Sequence, residues 1–290
     1  MTPLQISKTV QHDQYNELDC LRINNSAACA TIFLQGAHIT EYSKTQSNNL
    51  LFVSKAEPFK ATEAIRGGIP ICWPWFGPHS TQRNAPAHGF ARTRIWQYSL
   101  VHESDHRTDI LFKLETDGHD IGFPYKATAE LLISVGETLA MSLTTTNLGD
   151  EPFAISQAMH SYFACENIAT VKVTGLTGEQ VLDNRNGACK PFPRDFSFYQ
   201  ETDWTVLDKG QPILLSGTGR PAIQLNRLGS RSVVVWNPWL EKASTLSHFQ
   251  PQEYQSMFCV ETTNAGDDTR LIKPKQAHAL AMEIQEISAS

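Results

Sequence analysis

Three sets of side chains in this sequence are suited to chemistry that uses no metal. The first is a group of arginines. Residues 62–96 hold Arg66, Arg83, Arg92 and Arg94 against the single acid Glu63, in a chain whose net charge is −6. A guanidinium donates two parallel hydrogen bonds, which suits a phosphate or a carboxylate. Around Arg66 the stretch "AIRGGIPICWPWFGPHS" (64–80) packs aromatic, Pro and Gly residues in a mixture that fits neither a helix nor a pleated strand. Trp73 and Trp75 offer flat faces to a sugar ring, Gly67 and Gly68 would let the backbone approach a ligand, and Pro70, Pro74 and Pro78 would hold the loop in one shape. The alternative is a loop that caps one end of the fold, its Arg side chains paired with carboxylates.

The second set is His160 and Glu261. His160 lies in the apolar "ISQAMHSYFAC" (155–165). Burial there would lower its pKa, and such a His can act as acid or base near neutrality. Its structural alternative is a core His bonded to a backbone carbonyl. Glu261 ends the apolar "SMFCVETTN" (256–264), and a buried carboxylate needs a partner or a task. Its alternative is a salt bridge to one of the Arg residues.

The third set is weaker. "HGFART" (88–93) places His88 and Arg92 four residues apart, where a turn could point both the same way. Asp183 sits in the turn-rich "TGLTGEQVLDNRNG" (174–187) and by itself reads as a turn residue. Together these groups provide an acid, a base, an anion clamp and aromatic walls, which suits proton transfer on a polar small molecule. The sequence has no G-x-S-x-G, GxGxxG, P-loop or H-E-x-x-H pattern, which removes the common nucleophile, nucleotide and zinc classes.

The elements that must position these groups read as strands. Segments 30–43, 50–54, 94–104, 109–116, 127–135, 139–149, 169–176, 232–238, 256–262 and 278–287 are rich in β-branched and aromatic residues or alternate with period two. In 139–145, Leu139, Met141, Leu143 and Thr145 share one face. In 278–287, Leu280, Met282 and Ile284 alternate with Ala279, Ala281 and Glu283. Gly- and Asn-rich turns punctuate the strands, and only 241–249 suggests a turn or two of helix. An all-β antiparallel sandwich is expected, as a single domain over residues 1–290.

The totals bound the partners. With 24 Lys+Arg against 30 Asp+Glu, the chain is not a general nucleic-acid or membrane-surface binder. No apolar run approaches the ~20 residues of a membrane helix. The polar N-terminus carries no signal-peptide pattern, so the cytoplasm is the expected location. Cys20, Cys29, Cys72, Cys165, Cys189 and Cys259 form no C-x-x-C pair and are expected to be reduced thiols.

"RGGIPICWPWFGP", "HGFAR", "MHSYF", the Leu-Asp of "GLTGEQVLD", "VVVWNP" and "FCVE" follow one another in this chain. In that order they resemble the hexose-6-phosphate mutarotases, glucose-6-phosphate 1-epimerase-like proteins of the aldose 1-epimerase superfamily, from about Thr31 to the C-terminal strand. The resemblance implies a large antiparallel β-sandwich of the galactose-mutarotase type and a cofactor-free isomerase. It implies that Glu261 takes the proton of the anomeric hydroxyl and that His160 protonates the ring oxygen. Asp183 would bind sugar hydroxyls, Arg66 and His88 would face the sugar, and Arg92 would help hold the phosphate, with Arg83 or Arg94 as possible contributors. The expected partner is a small phosphosugar, with no nucleic acid, no membrane and a monomeric chain. Two rivals stay open: an epimerase for plain hexoses, and a sugar-phosphate sensor without turnover. A glycoside hydrolase is a weaker rival, because that chemistry uses two flanking carboxylates.

Overall fold

Strand after strand pairs with its neighbour in antiparallel fashion, because the period-two segments are joined by tight Gly- and Asn-bearing turns. The structure is a computed structural model and describes residues 3–44 and 48–287. One eight-stranded sheet, here the backing sheet, runs from Gln97–Glu103 through Thr108–Asp117, Lys126–Val135, Leu139–Asn147, Ala277–Ile287, Ala222–Leu228 and Ile213–Ser216 to Lys172–Thr174. The second, here the site sheet, runs from Ala188–Pro191 through Gln180–Asp183, Thr202–Leu207, Ser232–Asn237, Met257–Asn264 and Gln157–Met159 to Ile71–Cys72. Tyr162–Ala164 pairs with the far end of Met257–Asn264. Five N-terminal strands, from Leu4–Gln5 to His38–Lys44, form a further sheet.

The two large sheets meet face to face. Leu143, Leu280, Met282 and Ile284 of the backing sheet and Val233, Val235, Phe258 and Val260 of the site sheet belong to one continuous buried cluster. Each such side chain removed from water contributes about 1.5–3 kcal/mol before chain entropy is set against it. The expected sandwich and the predicted faces of 139–145 and 278–287 are both present. The segment 30–43 is two strands rather than one, Ala28–Phe33 and His38–Lys44, because the chain reverses through Gly36 and Ala37, both at positive φ. The helical turn expected at 241–249 is Trp239–Ala243.

Alternation also builds the site. On the site sheet, residues of one parity enter the core and those of the other parity face outward. Leu182, Thr205, Val234 and Glu261 are paired across four successive strands and make one outward row. Asp183, Trp204, Val235 and Val260 make the adjacent row on the core side.

Candidate active site

The outward row forms the floor of a cavity of about 490 Å³, lined also by Arg66, His88, His160 and Lys242. His160 reaches it through a break in strand pairing. Gln157–Met159 and Tyr162–Ala164 both pair with Met257–Asn264, in the same register on either side of the break. That register sets His160 opposite Glu261. In the break the His160 N–H donates to Pro70 O at 3.0 Å, so the backbone stays satisfied off the sheet.

The two side chains meet. His160 Nε2 lies 3.4 Å from Glu261 Oε1, with Glu261 essentially inaccessible and His160 nearly so. Burial drives the His160 pKa well below its usual 6.5, and His88, Arg92 and Arg66 push the same way. Burial drives the Glu261 pKa well above its usual 4.5, and the charge of Asp203 adds to this. Both directions describe one condition. The dry floor disfavours two separate charges, so the pair holds a single proton between carboxyl and imidazole. His160 is further fixed by Tyr162, stacked on it at 4.7 Å with 10° between the rings, and by the edge-on Trp236 at 6.0 Å.

His88 closes another wall. Its Nδ1 accepts the Gly77 N–H at 3.2 Å, which puts the ring proton of the neutral imidazole on Nε2, available to donate. Burial, then Arg92 and Arg66, lowers its pKa to about 3, so it stays neutral. Arg66 is placed by its backbone N–H, which donates to Glu57 Oε2 at 2.6 Å, and its Nε donates to Ser247 O at 3.3 Å.

Four sequence expectations, His160, Glu261, Arg66 and His88, are thus brought together at one cavity. Others are placed elsewhere. Asp183 is not at the cavity: it lies on the core-side row, where Arg185 grips it at 2.9 and 2.7 Å and Trp204 Nε1 donates to it at 3.1 Å. The acid that lines the cavity besides Glu261 is Asp203, one strand over on the outward parity, held by Asn184 Nδ2 at 2.7 Å. Arg92 is also absent from the lining and donates from Nη2 to Ala87 O at 2.6 Å. Arg94 is paired with Asp120 at 2.5 Å, and Arg83 is exposed and likewise away from the lining.

The loop aromatics also take different duties. Trp73 and Trp75 are buried and donate to Thr145 Oγ1 and Pro86 O, both at 2.9 Å. The aromatic walls are instead Phe76, Tyr162 and Trp236. Gly67 and Gly68 bring backbone close to backbone, not to a ligand: a Cβ on either would lie 2.4 Å from Phe52 O or 2.3 Å from Ile39 O. Sequence reasoning missed Lys242, Asp203 and Asn184. Alternation in Thr202–Leu207 separates Asp203 from the core-facing Trp204 and was the available signal for it. Among the described residues, His160, Cys259 and Glu261 are the group whose donor atoms could hold a metal ion.

An acid/base pair on a dry floor, a neutral His donor, a cation-bearing rim and a carboxylate opposite suit proton exchange between two oxygens of one small polyhydroxylated molecule. The comparisons agree. The Aldose 1-epimerase family pattern matches residues 19–285. An Escherichia coli K12 protein named "Putative glucose-6-phosphate 1-epimerase" is 31% identical over 285 residues, covering 97% of this chain and 95% of that one. The Haemophilus influenzae protein of the same name is 35% identical over 216 residues, covering 74% of this chain and 73% of its own. A Salmonella typhimurium crystal structure described as "a putative mutarotase" superposes with a TM-score of 0.90 at 28% identity, covering 98% of this chain and 96% of that one. With its family pattern spanning residues 19–285 and His160 in contact with Glu261 at the cavity floor, the chain belongs to the aldose 1-epimerase family.

Proposed function

We propose that the protein interconverts the α and β anomers of a hexose 6-phosphate, with glucose 6-phosphate as the leading substrate. The observation that carries this is the buried 3.4 Å contact between His160 and Glu261 at the floor of a cavity bordered by two cations, Arg66 and Lys242. Mutarotation needs a proton removed from O1 and one supplied to O5. Both oxygens are bonded to C1, so acid and base must stand side by side.

In the forward step the shared proton first moves from the Glu261 carboxyl to His160 across their 3.4 Å contact; the carboxylate so formed takes the O1 proton while His160 delivers one to O5. The C1–O5 bond breaks and the C1=O bond forms. Rotation about C1–C2 and the reverse transfers close the ring as the other anomer. The pair carries one proton before and after each step, so no cofactor and no net proton exchange are required. Each such group typically contributes about 10²–10⁴-fold. His88 Nε2–H, Asp203 and Asn184 are assigned to the sugar hydroxyls, and Arg66 with Lys242 to the phosphate. Names carried by the Escherichia coli and Haemophilus influenzae relatives support the phosphorylated substrate.

We read residues 1–290 as one domain, supported by the family match over 19–285 and the continuous core. We further read the chain as a monomer acting in the cytoplasm on a small phosphosugar, without nucleic acid or membrane. The net charge of −6 and six unpaired cysteines support this. No helix among the described residues is long and apolar enough to cross a membrane. The test is polarimetry on freshly dissolved α-glucose 6-phosphate, α-glucose and α-galactose. Preference for the phosphorylated sugar supports the reading; equal acceleration of all three would support a general aldose 1-epimerase instead.

A further inference from the structure

We propose that His160, Cys259 and Glu261 form a binding site for a soft divalent cation of the Zn²⁺ class, where the cavity floor meets the buried Cys259. One donor atom from each lies within 4.8 Å of the others. Zn²⁺ bonds to nitrogen and oxygen are about 2.0–2.2 Å long, so a tetrahedral site spaces two such donors about 3.3–3.5 Å apart. His160 Nε2 and Glu261 Oε1 already stand 3.4 Å apart.

Glu261 is 1% exposed, yet its Oε2 is buried without any hydrogen-bond partner. Such an orphan lone pair is costly unless something binds it. Cys259 lies two residues before Glu261 on the same strand and so shares its face. An ion among these three donors would have His160 and Glu261, its two cavity-lining ligands, on the side of the cavity and Cys259 behind them. One imidazole, one thiol and one carboxylate suit Zn²⁺, whereas Mg²⁺ and Ca²⁺ take oxygen ligands.

Protons balance if the ion displaces the Cys259 thiol proton and the single proton shared by His160 and Glu261, two for each Zn²⁺ bound. The bound ion occupies the two groups assigned to acid/base transfer, so it competes with the sugar. That consequence rests on the proposed function; the binding itself does not.

The test is equilibrium dialysis of the tag-free full chain against Zn²⁺ or Mg²⁺, with Co²⁺ as a spectroscopic probe. The wild-type protein, Cys259→Ser and the exposed-thiol control Cys189→Ser are compared, with Cys259→Ala in reserve should the Ser variant not fold. The expected result is one Zn²⁺ per chain in wild type and Cys189→Ser, no Mg²⁺, and a cobalt–thiolate charge-transfer band. Cys259→Ser should bind Zn²⁺ at least about tenfold more weakly, the scale of perturbing a metal's ligand shell, and lose the band. Zn²⁺ uptake that is absent, or equal in Cys259→Ser, would overturn the site. Turnover, measured separately, should fall with Zn²⁺ in competition with sugar and recover with chelator. Stoichiometric binding that leaves turnover untouched would support the site while counting against the acid/base assignment.

Discussion

His160 Nε2 lies 3.4 Å from Glu261 Oε1, and the other polar side-chain atom of each, His160 Nδ1 and Glu261 Oε2, is buried with no hydrogen-bond partner. A core pair kept only for stability would have those atoms satisfied. Here that capacity is left unmet in two residues that line the cavity. The strand break at His160 creates this arrangement, because an unbroken strand would commit its backbone to the sheet ladder.

Asp203 adds to the effect of burial on Glu261. Its negative charge, after burial, holds the Glu261 pKa up. Asp203→Asn removes that charge, so Glu261 should ionise at lower pH and the acid limb of the kcat–pH profile should move to lower pH. KM should rise as well, because one sugar contact is weakened. An unmoved acid limb would show that Asp203 does not act on Glu261.

Phosphate recognition should follow the cavity lining. Arg66→Ala and Lys242→Ala should each weaken glucose 6-phosphate binding by about 1.5–3 kcal/mol, the scale of a charged hydrogen bond. Glucose binding should change much less. Arg92, whose Nη2 is spent on Ala87 O, should show a smaller loss when changed to Ala. Isothermal titration with both sugars separates these outcomes, and a dominant Arg92 effect would return the phosphate to that residue.

Asp183 should matter for stability and little for turnover. Its bonds to Arg185 hold its pKa at about 2, below the usual 3.8. The charged form is therefore favoured on folding, so this contribution is present above pH 3.8 and is lost as pH falls through about 2. Asp183→Asn should cost about 1.5–3 kcal/mol in urea unfolding at neutral pH, the scale of charged hydrogen bonds, because Arg185 is exposed and left solvated. A large loss of turnover with unchanged stability would contradict its placement on the core face.

His38 should weaken the fold in acid. It is fully buried with Nε2 2.7 Å from Gly67 O, and burial lowers its pKa from 6.5 to about 4. The unfolded chain then binds more protons between those two values. Stability is therefore full above pH 6.5 and falls as pH drops toward 4, by about 3 kcal/mol in total. His38→Gln should flatten that slope in denaturant titrations at a series of pH values; an unchanged slope would assign it to other groups.

The strands were legible because period-two burial leaves a direct trace, as in Leu139–Asn147. His160 and Glu261 were legible because each is a titratable group inside an apolar run. Asp183 was misplaced because one step along a strand reverses the face, and the register that decides it comes from Thr202–Leu207, far along the chain. Trp73 and Trp75 were misread for a similar reason. Their partners, Thr145 and Pro86, are set by tertiary packing, which no local pattern encodes. Lys242 lies on a five-residue helix that only the folded chain carries to the cavity.

The most direct measurement is exchange NMR on equilibrated glucose 6-phosphate, following α-to-β transfer with wild-type protein, Glu261→Gln and His160→Ala. Wild type should accelerate exchange strongly and each variant should lose about 10²–10⁴-fold, with sugar binding retained within a few-fold in Glu261→Gln. Turnover within a few-fold of wild type in either variant would contradict the assignment of the pair as the proton-transfer groups.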